Sequence, residues 1–306
     1  MTTKGQQETE WQLADHGEIL SSEKNAFTVD VEEWFQVGAF ETTFSRSDWV
    51  TLESRVELQT RALLYLLSEL SIQGTFFCLG WVAERYPLLL ADIAKAGHEI
   101  ACHGVDHRRL FTLTEEEFRT DVRQAKRTLE LASGKKVVGY RAPSFSLTQE
   151  VWWAYKVLSE EGFTYSSSLY PVKTDHYGMQ SAPRNPFYPL GDNGLLEIPM
   201  TVCDVPFLRV PASGGGYFRL LPYGVSHYLL KQGVKQADVP GIFYMHPWEM
   251  DTDQPYVKEA PWLSKFRHYN GQAKLPQKLA RIAHDFKWGR VKDIYRPLFS
   301  VQGEHK

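Results

Sequence analysis

Ala-Phe-Thr-Val-Asp-Val-Glu-Glu, residues 26–33, is the stretch whose reading decides the fold of this chain. Residues 26–31 read as a buried β-strand, yet Asp30 interrupts the apolar run and Glu32 and Glu33 follow it directly. The same arrangement recurs three times. His98–Cys102 runs into His103-Gly-Val-Asp-His107, and Val137–Tyr140 into Arg141-Ala-Pro-Ser-Phe145. Gly241–Met245 runs into His246-Pro-Trp-Glu249. Polar side chains that stand just past buried strands point to an α/β barrel or open α/β sheet, whose catalytic groups gather at strand carboxyl ends.

Helical patterns separate these strands. Ser54–Ser71 places Val56, Leu63, Leu67 and Leu70 at helical spacing, and a strand Thr75–Leu79 follows. One helix is expected over Trp81–Ala96. Thr114-Glu-Glu-Glu117 is a capping box that opens a helix to about Ala132, with Gly134 as its stop. Further elements are a helix from Thr148 to Gly162, strands Phe163–Ser166 and Leu195–Val202, and helices at Pro222–Gln232 and Gln277–Phe286. Tyr170–Gly194, rich in Pro, Tyr, Asn and Asp, reads as a long functional loop. Such βαβα order implies mostly parallel strands with helices packed outside. The expected organisation is a flexible polar arm over 1–24, a catalytic domain over 25–250 and a C-terminal extension over 251–306 packed on the barrel.

Composition narrows the function. A net charge of −3 with interspersed signs offers no basic stripe, which argues against nucleic-acid binding. The first twenty residues have no apolar run and no small-residue cleavage site, and no later segment reaches the ~18 apolar residues of a transmembrane span. Three widely spaced cysteines, Cys78, Cys102 and Cys203, read as buried thiols of a reducing compartment, so a cytoplasmic location is expected. The oligomeric state is open.

The chemistry lies in the polar clusters. His103 and His107 stand four apart across a turn eased by Gly104, so both rings can reach one ion. Catalytic zinc sites commonly use two histidines and a carboxylate. Asp30, Glu32 and Glu33 are the candidates for the third ligand. Along extended chain, residues 30 and 32 face one side and 31 and 33 the other. One of the same-facing carboxylates can bind metal while the other serves as base. Arg141 can orient that base by bidentate contact, and the Phe145 amide is a candidate oxyanion donor. His246, on the same face, suits a general acid. Gly214-Gly-Gly216 lacks the context of a phosphate loop and reads as a turn or a close backbone approach.

In order, T-V-D-V-E-E (28–33), H-G-V-D-H (103–107), Y-R-A-P-S-F (140–145), Y-S-S-S-L-Y-P (165–171) and Y-M-H-P-W-E (244–249) resemble the motifs of the NodB-homology polysaccharide deacetylases, carbohydrate esterase family 4. Three further stretches resemble signatures of its exosortase and exopolysaccharide-locus subgroup: G-G-G-Y-F-R-L-L-P-Y (214–223), H-P-W-E-M-D (246–251) and R-H-Y (267–269). The resemblance implies a distorted (β/α) barrel of about seven parallel strands and one divalent metal ion, most often Zn2+ with Co2+ or Mn2+ as alternatives. It implies hydrolysis of N-acetyl groups on hexosamines of a polysaccharide or its precursor, lipid-linked or free. It assigns Asp30 as general base, His103 and His107 as metal ligands, Arg141 as the residue holding the base and His246 as general acid. Phe145, Pro143, Tyr170, Trp248 and Tyr217 are the expected substrate contacts.

The chain departs from the pattern twice. Val31 stands where the family's usual second aspartate binds metal, which moves that role to Glu32. Ser166 stands where an aspartate usually orients the acidic histidine, and Asp175, Asp204 and Glu249 are the candidates to replace it. An allantoinase-like or imidase-like hydrolase and a catalytically silent sugar-binding protein are the rival readings, since fold alone does not dictate substrate.

Overall fold

The computed structural model describes residues 11–15, 23–173, 178–191 and 194–299. Its strands are β1 (Lys24–Val31), β2 (Thr75–Cys78), β3 (Glu99–Cys102), β4 (Gly139–Tyr140) and β5 (Tyr165–Ser166). They continue as β6 (Leu196–Glu197), β7 (Val202–Val205), β8 (Leu208–Pro211), β9 (Ile242–Met245) and β10 (Lys287–Gly289). Parallel pairing joins β1 through β6 in sequence order, and β9 pairs β1, so seven parallel strands form a curled half-barrel. Between β9 and β6 the Ser213–Gly214 backbone takes over, with Tyr244 N donating to Ser213 O at 2.7 Å. Gly214 is required there, because a Cβ would lie 2.3 Å from Tyr244 O.

The helices are α1 (Val56–Glu69), α2 (Gly80–Arg85), α3 (Pro87–Lys95), α4 (Glu115–Ser133) and α5 (Trp153–Glu160). After these come α6 (Gly215–Leu220), α7 (Tyr223–Ala237), α8 (Trp262–Tyr269), α9 (Leu275–Asp285) and α10 (Val291–Ile294). The single helix expected over 81–96 is two. Pro87 opens α3 and holds Tyr86 away from helical dihedrals, as a proline does to its predecessor. The expected strand 195–202 is also divided: Leu196–Glu197 joins the barrel, whereas Val202 belongs to the antiparallel β7–β8 hairpin. The Thr114 capping box and the left-handed Gly134 stop occur as read.

The two-residue period of β1 sorts its side chains. Phe27, Val29 and Val31 pack with Phe76, Cys78, Leu63 and Leu67 against the outer helices. Ala26 packs with Phe77, Ala101 and Tyr244 in the cluster that fills the barrel, and Asp30 lies on the same face of the strand as Ala26. Both faces are covered, which is why the strand reads as nearly continuous apolar sequence. Of the polar stretch 1–24, residues 11–15 pack on the domain: Ala14 is buried and Trp11 contacts Trp152 and Phe187 at 5.6 and 5.0 Å. In the segment 251–306, β10 pairs in parallel with β1, a strand the sequence reading did not contain.

Candidate active site

Each polar residue picked out in the sequence follows its strand at one end of the barrel. Asp30 is the penultimate residue of β1, and Glu32 and Glu33 directly follow the strand. Glu33 points away from the other two. Its Oε1 accepts the Arg55 and Val56 amides at 3.1 and 3.2 Å and it bonds the Ser54 hydroxyl, so it anchors the start of α1. Burial raises its pKa. Glu33→Ala is expected to cost about 1–2 kcal/mol, the worth of a lost N-terminal cap, with metal stoichiometry unchanged. Thermal melting and metal analysis of the purified variant check both halves.

Glu32, His103 and His107 are buried, and one ligand atom from each lies within 4.8 Å of the others. His103 Nδ1 donates to Arg141 O at 2.9 Å, which leaves the Nε2 lone pair for the site. Burial holds its pKa down at about 4, so the ring is neutral and ready to ligate. His107 sits in the left-handed region (φ +58°), a conformation that side-chain-bearing residues adopt only under local constraint. That constraint is visible. Gly104, at φ +80°, makes the turn, Val105 N donates to Asp121 on α4, and Trp81 N on α2 donates to Val105 O at 2.8 Å. Glu32 Oε2 lies 2.7 Å from His107 Nε2 without hydrogen-bond geometry, and among the described residues this buried oxygen has no hydrogen-bond partner. Burial pushes Glu32 up, but His107, His246 and His103 outweigh it and hold the carboxyl at about 2. A buried carboxylate with an orphaned oxygen beside two imidazoles fits a divalent cation, and the mixed N/O donor set is a zinc-type set.

Asp30 is the second same-facing carboxylate. Its Oδ1 receives Arg141 Nη1 at 2.7 Å, and Oδ2 lies 4.0 Å from His246 Nε2. The contact is single rather than bidentate, because the rest of the fully buried guanidinium is engaged elsewhere. Nη1 also bonds Thr28 Oγ1 at 2.9 Å, Nε donates to Ser167 O at 3.1 Å, and the group stacks over Phe77 at 4.0 Å. One oxygen of Asp30 is thereby immobilised and the other faces the site.

His246 Nε2 lies 3.4 Å from Glu32 Oε1, and its Nδ1 meets Glu249 Oε1 at 2.6 Å. Glu249 is the substitute for the missing aspartate; Asp204 pairs with Arg184 and Arg209 instead, and Asp175 lies outside the described residues. Burial alone would lower the His246 pKa, but Glu32, Glu249 and Asp30 together raise it to about 9. Behind Glu249 stands Arg219 from α6, which the sequence reading missed. Its Nε reaches Glu249 Oε2 at 3.3 Å, and its other nitrogens bond the carbonyls of Arg267, His268 and Asn270 at the end of α8. The three segments 214–223, 246–251 and 267–269 therefore meet behind the acidic histidine.

Ser166 does not approach His246. Its hydroxyl lies 2.7 Å from Ser168 Oγ in the barrel wall, while Ser168 Oγ accepts the Ala142 amide and Glu197 accepts the Ser168 and Leu169 amides. Ser166→Asp is accordingly expected to leave the acid's pH profile where it is. It would bury a second carboxylate beside Glu197 at a cost on the order of several kcal/mol, read as a lower melting temperature.

The expected substrate contacts divide. Trp248 is buried between His246 and His268, with centroids at 5.0 and 4.4 Å, and its Nε1 donates to Glu32 Oε1 at 3.3 Å. It holds Glu32 in place rather than offering a free face to sugar. The Phe145 amide donates to Ala142 O at 3.0 Å, so it is not a ready oxyanion donor. Phe145, Pro143 and Tyr170 are buried, with the Phe145 and Tyr170 rings 5.3 Å apart. Tyr217 on α6 lines a separate depression with Pro211 and Leu229.

Comparison with known proteins agrees with this geometry. Residues 43–164 match the polysaccharide deacetylase family model, and residues 167–296 match a second one described as a domain of unknown function, DUF3473. Over residues 43–164 the chain is thus similar to the polysaccharide deacetylases. A peptidoglycan-N-acetylglucosamine deacetylase of Bacillus cereus is 33% identical over 86 residues, 28% of this chain and 29% of that protein. A peptidoglycan deacetylase of Helicobacter pylori is 27% identical over 112 residues, 35% of this chain and 36% of that protein. The match thus spans about a third of the length of these curated relatives. Among solved structures, a protein from Mycobacterium smegmatis described as a polysaccharide deacetylase shares the fold with a TM-score of 0.59. It is 24% identical, with 91% of each chain covered. Within the family's frame, the first model covers His103, His107 and Arg141, while His246, Glu249 and Arg219 fall in the second. Asp30 and Glu32 precede both.

Proposed function

We propose that the protein is a metal-dependent hydrolase that removes N-acetyl groups from hexosamine residues of a polysaccharide or its precursor, in exopolysaccharide biosynthesis. The observation that carries this reading is the convergence of an Arg-held carboxylate, a Glu/His/His cluster and a carboxylate-held histidine at one end of the barrel. Glu32, His103 and His107 would hold a divalent ion, most often zinc, which would supply Lewis acidity when bound. Asp30 serves as the base toward the attacking water through Oδ2, because Arg141 occupies Oδ1. Arg141 itself is fully buried and does not reach substrate. His246 donates from Nε2 to the departing amine as the C–N bond breaks, with Nδ1 held on Glu249 throughout. The products are the free amino sugar and acetate.

The test is acetate release by the purified protein with added zinc or cobalt, against a panel of N-acetylated oligosaccharides and lipid-linked intermediates. An imidase would release none, and a silent sugar-binding protein would bind without turnover. The three buried free thiols support work in a reducing compartment, the cytoplasm. A C-terminal reporter active only outside the cytoplasm would overturn that placement.

A further inference from the structure

The segment between β1 and α1 builds a cleft of about 180 Å3 that opens beside His107. At ~30 Å3 per water this is room for about six waters, the scale of one sugar ring. Phe35 and Trp49 line its apolar side; both are largely buried against Trp81, and Arg46 lies over the Trp49 ring. An apolar lining beside polar groups suits one side of a pyranose without an open stacking face.

The polar lining is rich in donors and poor in acceptors. Gln36 is buried, and its Oε1 accepts the Glu33 amide at 2.8 Å. That bond fixes the orientation of the side-chain amide, so the atom left over is the donor Nε2, which has no partner among the described residues. An orphaned buried donor is unfavourable unless a ligand or water satisfies it. Two guanidinium groups share the lining with a single carboxylate. Arg109, four-fifths buried, meets the half-exposed Glu41 through Nη2 alone at 2.6 Å, and Arg46 turns its Nε to Asp106. Arg109 is also pressed against the backbone: a Cβ on Gly38 would lie 2.8 Å from its Nη2. The cleft presents donors to spare and one half-exposed acidic side chain to occupy them.

We propose that this cleft binds the sugar adjoining the N-acetylhexosamine and that this sugar carries an oxyanion, either a uronate carboxylate or a phosphate ester. Arg109 and Gln36 hold the oxyanion, Arg46 adds charge, and Phe35 and Trp49 take the ring. Glu41 is the competitor that the oxyanion displaces. The proposal deepens the deacetylase reading and rests on it for the position of the acetamide near His107.

Calorimetric titration of the full chain with three disaccharides tests it: chitobiose, chitobiose 6-phosphate, and N-acetylglucosamine joined to glucuronate. At least one acidic disaccharide is expected to bind about tenfold more tightly than chitobiose, and which one does so separates phosphate from carboxylate. Arg109→Gln should bring the ratio close to one. Glu41→Gln should raise it severalfold by freeing Arg109, an outcome that a misfolded variant cannot mimic. Equal affinities for all three sugars, or a Glu41→Gln variant with a smaller preference, would overturn the proposal. Binding is read without turnover. Acidic preference without acetate release keeps the cleft and sinks the deacetylase reading, and acetate release without acidic preference does the reverse.

Discussion

His103→Ala should purify with clearly less than one equivalent of divalent metal and should lose acetate-releasing activity altogether. The ring offers its Nε2 to the cluster because Nδ1 is committed to Arg141 O, and the buried imidazole is already neutral. The other two imidazoles are already committed: His107 is fixed by its own turn, and His246 is bound to Glu249. Glu32→Gln should weaken metal binding as well, since an amide is a poorer ligand than a carboxylate. Asp30→Asn should keep the metal and lose turnover. Metal analysis alongside kinetics separates the two roles. Full occupancy in His103→Ala would dismantle the site, and metal loss in Asp30→Asn with retention in Glu32→Gln would exchange the carboxylates.

His246→Ala should lower kcat by roughly 10²–10⁴, the usual worth of a positioned general acid. Glu249→Gln is the more diagnostic change. An acid must be protonated to work, so activity persists as pH rises until the histidine loses its proton, and falls beyond. In the metal-free protein Glu32, Glu249 and Asp30 raise the histidine's pKa against the opposing effect of burial; with a cation on Glu32, the Glu249 carboxylate becomes the main charge that keeps the proton on His246. Removing the charge of Glu249 lowers the histidine's pKa, so the alkaline limb should move to lower pH while its depth stays shallower than in His246→Ala. A pH–kcat profile of Glu249→Gln that overlays the wild type would remove the carboxylate from this role.

The strand ends were legible because apolar runs stop abruptly at charged residues, and a two-residue period assigned Asp30 and Glu32 to one face. Glu33 shows the same rule from the other side: its odd position sends it to the start of α1. What could not be read was anything decided by long-range meeting. β10 is three residues long and pairs with a strand more than 250 residues away, so it carries no periodic signal of its own. Arg219 stands in the sequence only as one letter of the 214–223 stretch; the fold shows its guanidinium at the end of α8. Ser166 misled for a physical reason. A family position predicts a partner only if the side chain can reach it, and this serine is held in the wall beside Ser168. Trp248 seemed a sugar platform because exposed indoles often are, yet stacking between two imidazoles leaves it no open face.

Strand β1 holds the pairing with β2, β9 and β10 at once. On a translating ribosome at ~5–20 residues per second, β1 emerges roughly 10–50 seconds before β10 exists to meet it. During that interval its β2 side can zip up and the histidine pair of the β3 loop can form, while its remaining backbone groups stay exposed as an edge. The segment that carries His246 and Glu249 arrives late. Newly made chains would therefore pass through a stage that gathers metal ligands before it can turn over any glycan, and the unpaired side of β1 is where such chains would stick to one another or to a chaperone.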